Sequence, residues 1–198
     1  MKGFPVVMLG ALVLAGCTAD FASNGDSPLL LLMTGINNGN VLSSDILIGT
    51  SVVNGPFGVC PDVVSLRLEN HPKNPTLGQL DWRGDLVVER YEVSYFRSDG
   101  RGVQGVDVPY TISGNLAFEV QYRNAANLFI EVVRRQAKLE PPLSNLLGAG
   151  NPPVLTMFAE ITLHGRTNVG AAISATGRLQ IDFAEFGDTL TQCPTTAQ

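Results

Sequence analysis

Alternation of apolar and polar residues, rather than helical spacing, organises this chain. In Val64-Ser65-Leu66-Arg67-Leu68-Glu69 the two kinds of residue alternate without error, as on a strand with one face buried. Residues 46–53 predict another strand. Residues 87–96 place Val87, Tyr91, Val93 and Tyr95 on one face, with Arg90, Glu92 and Ser94 opposite. Leu116, Phe118, Val120 and Tyr122 alternate with Ala117, Glu119 and Gln121, and a further strand is predicted over 128–133. The clearest pattern comes last. Leu155, Met157, Ala159, Ile161 and Leu163 share one face; Ile173, Ala175, Gly177, Leu179, Ile181 and Phe183 share the next. A Gly-bounded stretch, 165–170, separates the two runs, which predicts an antiparallel hairpin.

Turn chemistry punctuates these runs. Asn37-Asn38-Gly39-Asn40, the Pro-containing stretch 70–75 and Ser98-Asp99-Gly100 all favour reversals. Glu140-Pro141-Pro142-Leu143, with Leu143, Leu146 and Leu147 at i, i+3 and i+4, predicts one short helical turn near 140–147. The run Leu29-Leu30-Leu31-Leu32-Met33 fits either a first strand or an apolar plug. About seven strands with turns between them predict an all-β chain folded as a single antiparallel β-sandwich, with a closed barrel as the alternative architecture. Tyr91-Glu92-Val93-Ser94-Tyr95 resembles the central Tyr-x-Val-x-Tyr strand of fibronectin type III and related immunoglobulin-like domains. That resemblance implies an immunoglobulin-like sandwich. Departing from true immunoglobulin domains, the chain lacks their Cys…Trp…Cys spacing.

The N-terminus carries an address. Lys2 precedes a short apolar run, Val6-Val7-Met8-Leu9-Gly10-Ala11-Leu12-Val13-Leu14, well below the ~20 residues needed to cross a bilayer. It ends in Leu14-Ala15-Gly16-Cys17, which resembles the lipobox of bacterial lipoproteins. The resemblance implies cleavage before Cys17, a lipid on that cysteine and a membrane partner reached through it. The alternative is an ordinary secretory leader cut near Ala19. By analogy with enteric lipoproteins, Thr18 after the cysteine directs the chain to the outer rather than the inner membrane. The expected organisation is a signal peptide over 1–16, a tether and N-terminal segment over 17–42, the sandwich over 43–190 and a tail over 191–198.

Composition narrows the function further. The 198 residues are 44% hydrophobic and 16% charged, apolar enough for a core and too poor in charge for disorder. A net charge of −5 offers no footprint for nucleic acid or for anionic headgroups. Export implies an oxidising compartment, and with Cys17 lipidated the remaining cysteines, Cys60 and Cys193, leave one possible disulfide.

No catalytic set, metal site, nucleotide loop or cofactor is expected from the residue pattern. His71 and His164 have no ligand spacing around them, and the carboxylates are scattered singly. Asp99 and Asp107 flank a glycine-rich loop without enough oxygen ligands in register for calcium. Arg83-Gly84-Asp85 spells an integrin-type adhesion tripeptide in ordinary turn composition. Trp82, outside the alternating pattern, is the one aromatic residue put forward as a ligand contact. These readings leave a noncatalytic envelope module that binds another envelope protein or assembles at the surface. A carbohydrate-binding domain, or a hydrolase whose residues meet only in three dimensions, stands as the alternative.

Overall fold

A computed structural model describes residues 27–47, 58–76, 78, 82–147, 153–186 and 193. The described residues form eight strands in two sheets. β1 (Leu29–Ile36), β3 (Asp62–Pro72) and β6 (Ala125–Val133) make a three-stranded sheet in the order β1-β3-β6. β2 (Leu42–Asp45), β4 (Leu86–Phe96), β5 (Ile112–Val120), β7 (Leu155–Thr167) and β8 (Ala172–Ala184) make a five-stranded one, ordered β2-β8-β7-β4-β5. The fold is all-β and sandwich-like. One buried cluster draws Val64, Leu66, Leu68, Ile130 and Val132 from the small sheet and Val93, Ile161, Leu163, Leu179, Ile181 and Phe183 from the large one.

The alternation explains most of this. Met157, Ala159, Ile161 and Leu163 on β7 are fully buried, facing the Ile173, Ala175, Leu179 and Ile181 row of β8 across an unbroken antiparallel register. Each Ile, Leu or Met side chain among them contributes about 1.5–3 kcal/mol by leaving water. The opposite face carries Thr156, Glu160, Thr162 and His164, with Glu160 paired to Arg178 at 2.9 Å and Thr162 to Thr176 at 3.2 Å.

Several expectations need correction. The sheets hold eight strands rather than about seven, because a short β2 follows β1. β2 runs parallel to β8, Leu42 opposite Ile181, so the sandwich is not purely antiparallel. The first stretch of strand is split between the sheets. β1 pairs with β3, then Asn37, Asn38 and Gly39, all at positive φ, swing the chain across to β8. The apolar Leu29–Met33 run therefore belongs to the sheets, and the folded unit begins well before residue 43.

In β4 the expected face is also wrong at one end. The register shifts between Val88 and Arg90 in both flanking ladders, so Leu86 and Val88 point inward before the bulge and Val93 and Tyr95 after it. Val87 is left outside the inward row. Of the strand expected over 46–53, residues 48–53 lie outside the described ones, and Ile46 and Leu47 are not in a strand. The helical turn near 140–147 is a 3-10 turn, Leu143–Leu146, with Leu143 and Leu146 buried and Leu147 exposed. An additional short helix, α1 (Arg135–Lys138), precedes it.

The strand directions define two ends. The chain enters β1 beside the end of β3, where the Lys73 amide donates to the Pro28 carbonyl at 2.9 Å. β3 starts at the other end, opposite Val133 of β6. Eleven residues of β3 at ~3.3 Å each separate these ends by about 35 Å. They are called proximal and distal below.

Candidate functional site

At the distal end the connections 97–111 and 134–142 meet. Between them lies a cleft of about 200 Å³. Pro109, Tyr110 and Ile112 come from the approach to β5; Ala137 and Pro141 come from α1 and the segment after it. Arg134, Gln136, Glu140 and Thr111 complete the lining. The walls are mostly apolar, and the polar groups are partly committed to one another. Gln136 Nε2 donates to Glu140 Oε1 at 2.6 Å, and Arg134 Nη2 donates to the Ser113 carbonyl at 2.8 Å. That second bond ties the end of β6 to the start of β5 and holds the guanidinium at the cleft.

Beneath α1 sits a buried ion pair. Lys138 is 1% exposed and its Nζ lies 2.9 Å from Asp62 Oδ2, while also donating to the Asp45 carbonyl at 2.7 Å. Ser44 Oγ donates to the same carboxylate at 2.6 Å. Burial pushes the Asp62 carboxyl above its ordinary value, against the downward pull of Lys138 and Ser44. The network joins α1 to the start of β3 and the end of β2. It fixes one wall of the cleft. A charge this deep is kept because the Asp62 carboxylate and the Asp45 carbonyl both accept from it. Nearby, the Tyr95 hydroxyl donates to the Val132 carbonyl, bridging the two sheets, and burial raises its pKa.

Cys60 and Cys193 are joined by a disulfide with Cα atoms 5.4 Å apart, so the single expected pairing is present. Cys17 and the lipobox lie outside the described residues. The other candidates are not drawn together. Trp82 opens a 3-10 turn, Trp82–Gly84, at the proximal end, far from the cleft. Within the adhesion tripeptide Gly84 is buried and accepts from Asn70 Nδ2 at 2.8 Å, and Asp85 Oδ1 accepts the Tyr122 amide at 2.8 Å. A tripeptide so engaged is a structural turn, not a displayed epitope.

His71 sits on the outer side of the small sheet, 2.9 Å from Glu69, whereas His164 is on the large sheet, so they cannot share a metal. Asp99 is occupied by Arg101 and Arg97, and Asp107 accepts the Val103 amide. Among the described residues no group of three or more His, Cys, Asp or Glu is placed to hold a metal ion. No helix among them is long and apolar enough to cross a membrane.

Sequence reasoning did not nominate Arg134, Lys138 or Asp62. The only local hint is the Arg134-Arg135 doublet followed by Lys138 just after an apolar strand. Compared with family models, with curated proteins and with solved structures, the chain finds no match.

Proposed function

We propose that this chain is a bacterial lipoprotein, anchored through lipid on Cys17, whose immunoglobulin-like sandwich binds another envelope protein at its distal end. The strand order supports the immunoglobulin-like part. A first strand split between sheets, β1 beside β3 and β2 parallel to β8, matches the A-B-E and A′-G-F-C-C′ arrangement of such domains, with β4 in the place of the C strand, between β7 and β5. That is the strand carrying Tyr91, Val93 and Tyr95. The signal-peptide pattern and the Cys60–Cys193 bond agree with export to an oxidising envelope, the outer membrane before the inner.

The observation that carries the binding role is the uneven spread of exposed apolar side chains. Of the exposed large apolar side chains among the described residues, Val103, Val106, Tyr110, Leu139, Val154 and Phe186 lie at the distal end, against Val169 at the proximal one, with Leu32, Val41, Phe129 and Leu147 elsewhere. Grouped exposed apolar residues mark interaction surfaces, and this group faces away from the point where a lipid tether would enter.

A photo-crosslinking side chain at Val106 tests the reading in native envelopes. It should capture one discrete partner, while the same group at Val169 captures none. Equal capture from both sites, or none from either, overturns the assignment. Cys17→Ser should leave the protein unprocessed or release it from the membrane fraction; a variant that stays bound and is still cut at the same bond removes the anchor from the proposal.

A further inference from the structure

We propose that the distal cleft is a recognition pocket for the C-terminal residue of a polypeptide, taking an apolar side chain between its walls and the α-carboxylate on Arg134. This deepens the protein-binding reading and rests on it for the identity of the partner class.

The shape sets the first limit. A volume of about 200 Å³ falls below the ~300–1,000 Å³ of sites that enclose a whole drug-sized ligand, and suits a single side chain. Pro109, Ile112, Ala137 and Pro141 supply walls without donors or acceptors on their side chains, so the group that enters is apolar. Two of the four are prolines, and α1 is pinned from below by Lys138 on Asp62 and the Asp45 carbonyl. The walls are set before any ligand arrives, which lowers the ordering cost of binding.

Charge sets the second limit. Arg67, Arg90, Arg97, Arg101, Arg166 and Arg178 each hold a carboxylate of this chain within 4 Å. Arg134 has no such partner among the described residues, although it lines the cleft and is steadied by the Ser113 carbonyl. With one nitrogen so engaged, its remaining N–H groups keep the fork that matches a carboxylate. Glu140, the one acid at the rim, is held by Gln136 and disfavours a second anion on its side. One apolar side chain beside one carboxylate is what a chain terminus offers from a single residue, and capture of a C-terminal carboxylate is an established mode of peptide recognition.

The probe is a fluorescein-labelled peptide, Gly-Ser-Gly-Ser-Phe, with a free C-terminal carboxylate, titrated against the full mature protein in detergent and followed by anisotropy. Saturable binding is expected. The C-terminal amide of the same peptide should bind about tenfold more weakly or worse, and Arg134→Gln should produce a loss of similar size. Arg134→Lys, which keeps the charge but not the fork, should recover part of the affinity. Arg166→Gln, at the proximal end, should change nothing.

Equal binding of acid and amide, insensitivity to Arg134→Gln, or no saturable binding at millimolar peptide overturns the pocket. The crosslink from Val106 separates this failure from that of the wider reading. Capture that persists in the Arg134→Gln protein while the peptide fails to bind leaves the binding module and removes the pocket. Carboxylate-dependent peptide binding without any capture in the envelope keeps the pocket and removes the envelope partner.

Discussion

The two ends of the sandwich are closed in different ways. At the proximal end the work is done by neutral hydrogen bonds within a few ångströms of the strand ends. Asn70 is fully buried and its Nδ2 donates to the carbonyls of Gly84 and Val120 at 2.8 and 3.1 Å, stitching β3 to both β4 and β5. The Thr167 hydroxyl accepts the Ala171 amide at 3.0 Å and closes the β7–β8 turn. Most of the long connections, 46–61, 97–111 and 134–154, lie at the distal end, against 73–85 alone at the proximal one, and the distal end is tied by a covalent bond and by a buried charge. Short turns need only their own backbone geometry, whereas long connections pay loop entropy that local bonds do not offset. The end with most of the long connections is also the end with the cleft and most of the exposed apolar residues.

If that contrast is correct, the largest loss comes from the disulfide. It closes a separation of 133 residues, and the chain-entropy treatment gives about 5 kcal/mol for a loop of that size. Paired Cys60→Ser and Cys193→Ser should lower stability by up to that amount in urea unfolding. Hydrogen exchange should quicken at the start of β3 and in α1 before it does at Leu86 or Thr167. Uniform quickening at both ends would mean the bridge stabilises the sandwich as a whole and not its distal end.

Next comes the ion pair. Asp62→Ala leaves the Lys138 ammonium buried without its counter-charge and should cost about 3–5 kcal/mol. Replacing both partners together by apolar residues, Asp62→Leu with Lys138→Met, should be much milder than the single change, because no orphan charge remains. A double variant as unstable as Asp62→Ala would show that the pair does more than balance its own burial. At the proximal end Asn70→Ala strands two buried carbonyls and should cost about 1–3 kcal/mol. Should it equal or exceed Asp62→Ala in the same urea series, the two ends would not differ as described.

Legibility in the sequence follows the same divide. The β7–β8 hairpin was readable because alternation over 155–163 and 173–183 runs unbroken and each inward residue answers to the same core. β4 was readable as a strand but not in its facing, since the shift between Val88 and Arg90 changes parity and nothing in Val87-Val88-Glu89-Arg90 announces it. The parallel seat of β2 on β8 depends on three residues at positive φ, of which the pattern showed only a turn. The cleft was not readable at all. Its wall is a four-residue helix, too short for a periodic signal, and the pair that pins it spans 76 residues of sequence. The disulfide was readable because counting cysteines needs no geometry.

The smallest expected effect separates two aspartates of the same distal end. Burial moves the Asp62 carboxyl up, but Asp99 is on the surface of the loop between β4 and β5, where hydrogen bonds decide. The Arg101 side chain first, then its backbone amide at 3.1 Å and the Arg97 guanidinium, draw the Asp99 carboxyl down from 3.8 to about 2. A group whose folded value is lowered adds stability above its unfolded value and loses it as the pH falls through the folded one. The loop contacts of Asp99 should therefore persist below pH 3.8 and give way near pH 2. A carbon-detected NMR titration of the Asp99 carboxyl should find its midpoint near that lower value, with the Arg101 amide shifting in step. In 1 M salt, where the screening length is about 3 Å, the midpoint should climb back towards the ordinary carboxylate range, since an exposed ion pair has little shelter from counterions. Global unfolding should barely register the change. A midpoint near 3.8 at low salt would mean that Arg97 and Arg101 do not hold Asp99, and that this loop, unlike α1, is not organised by charge.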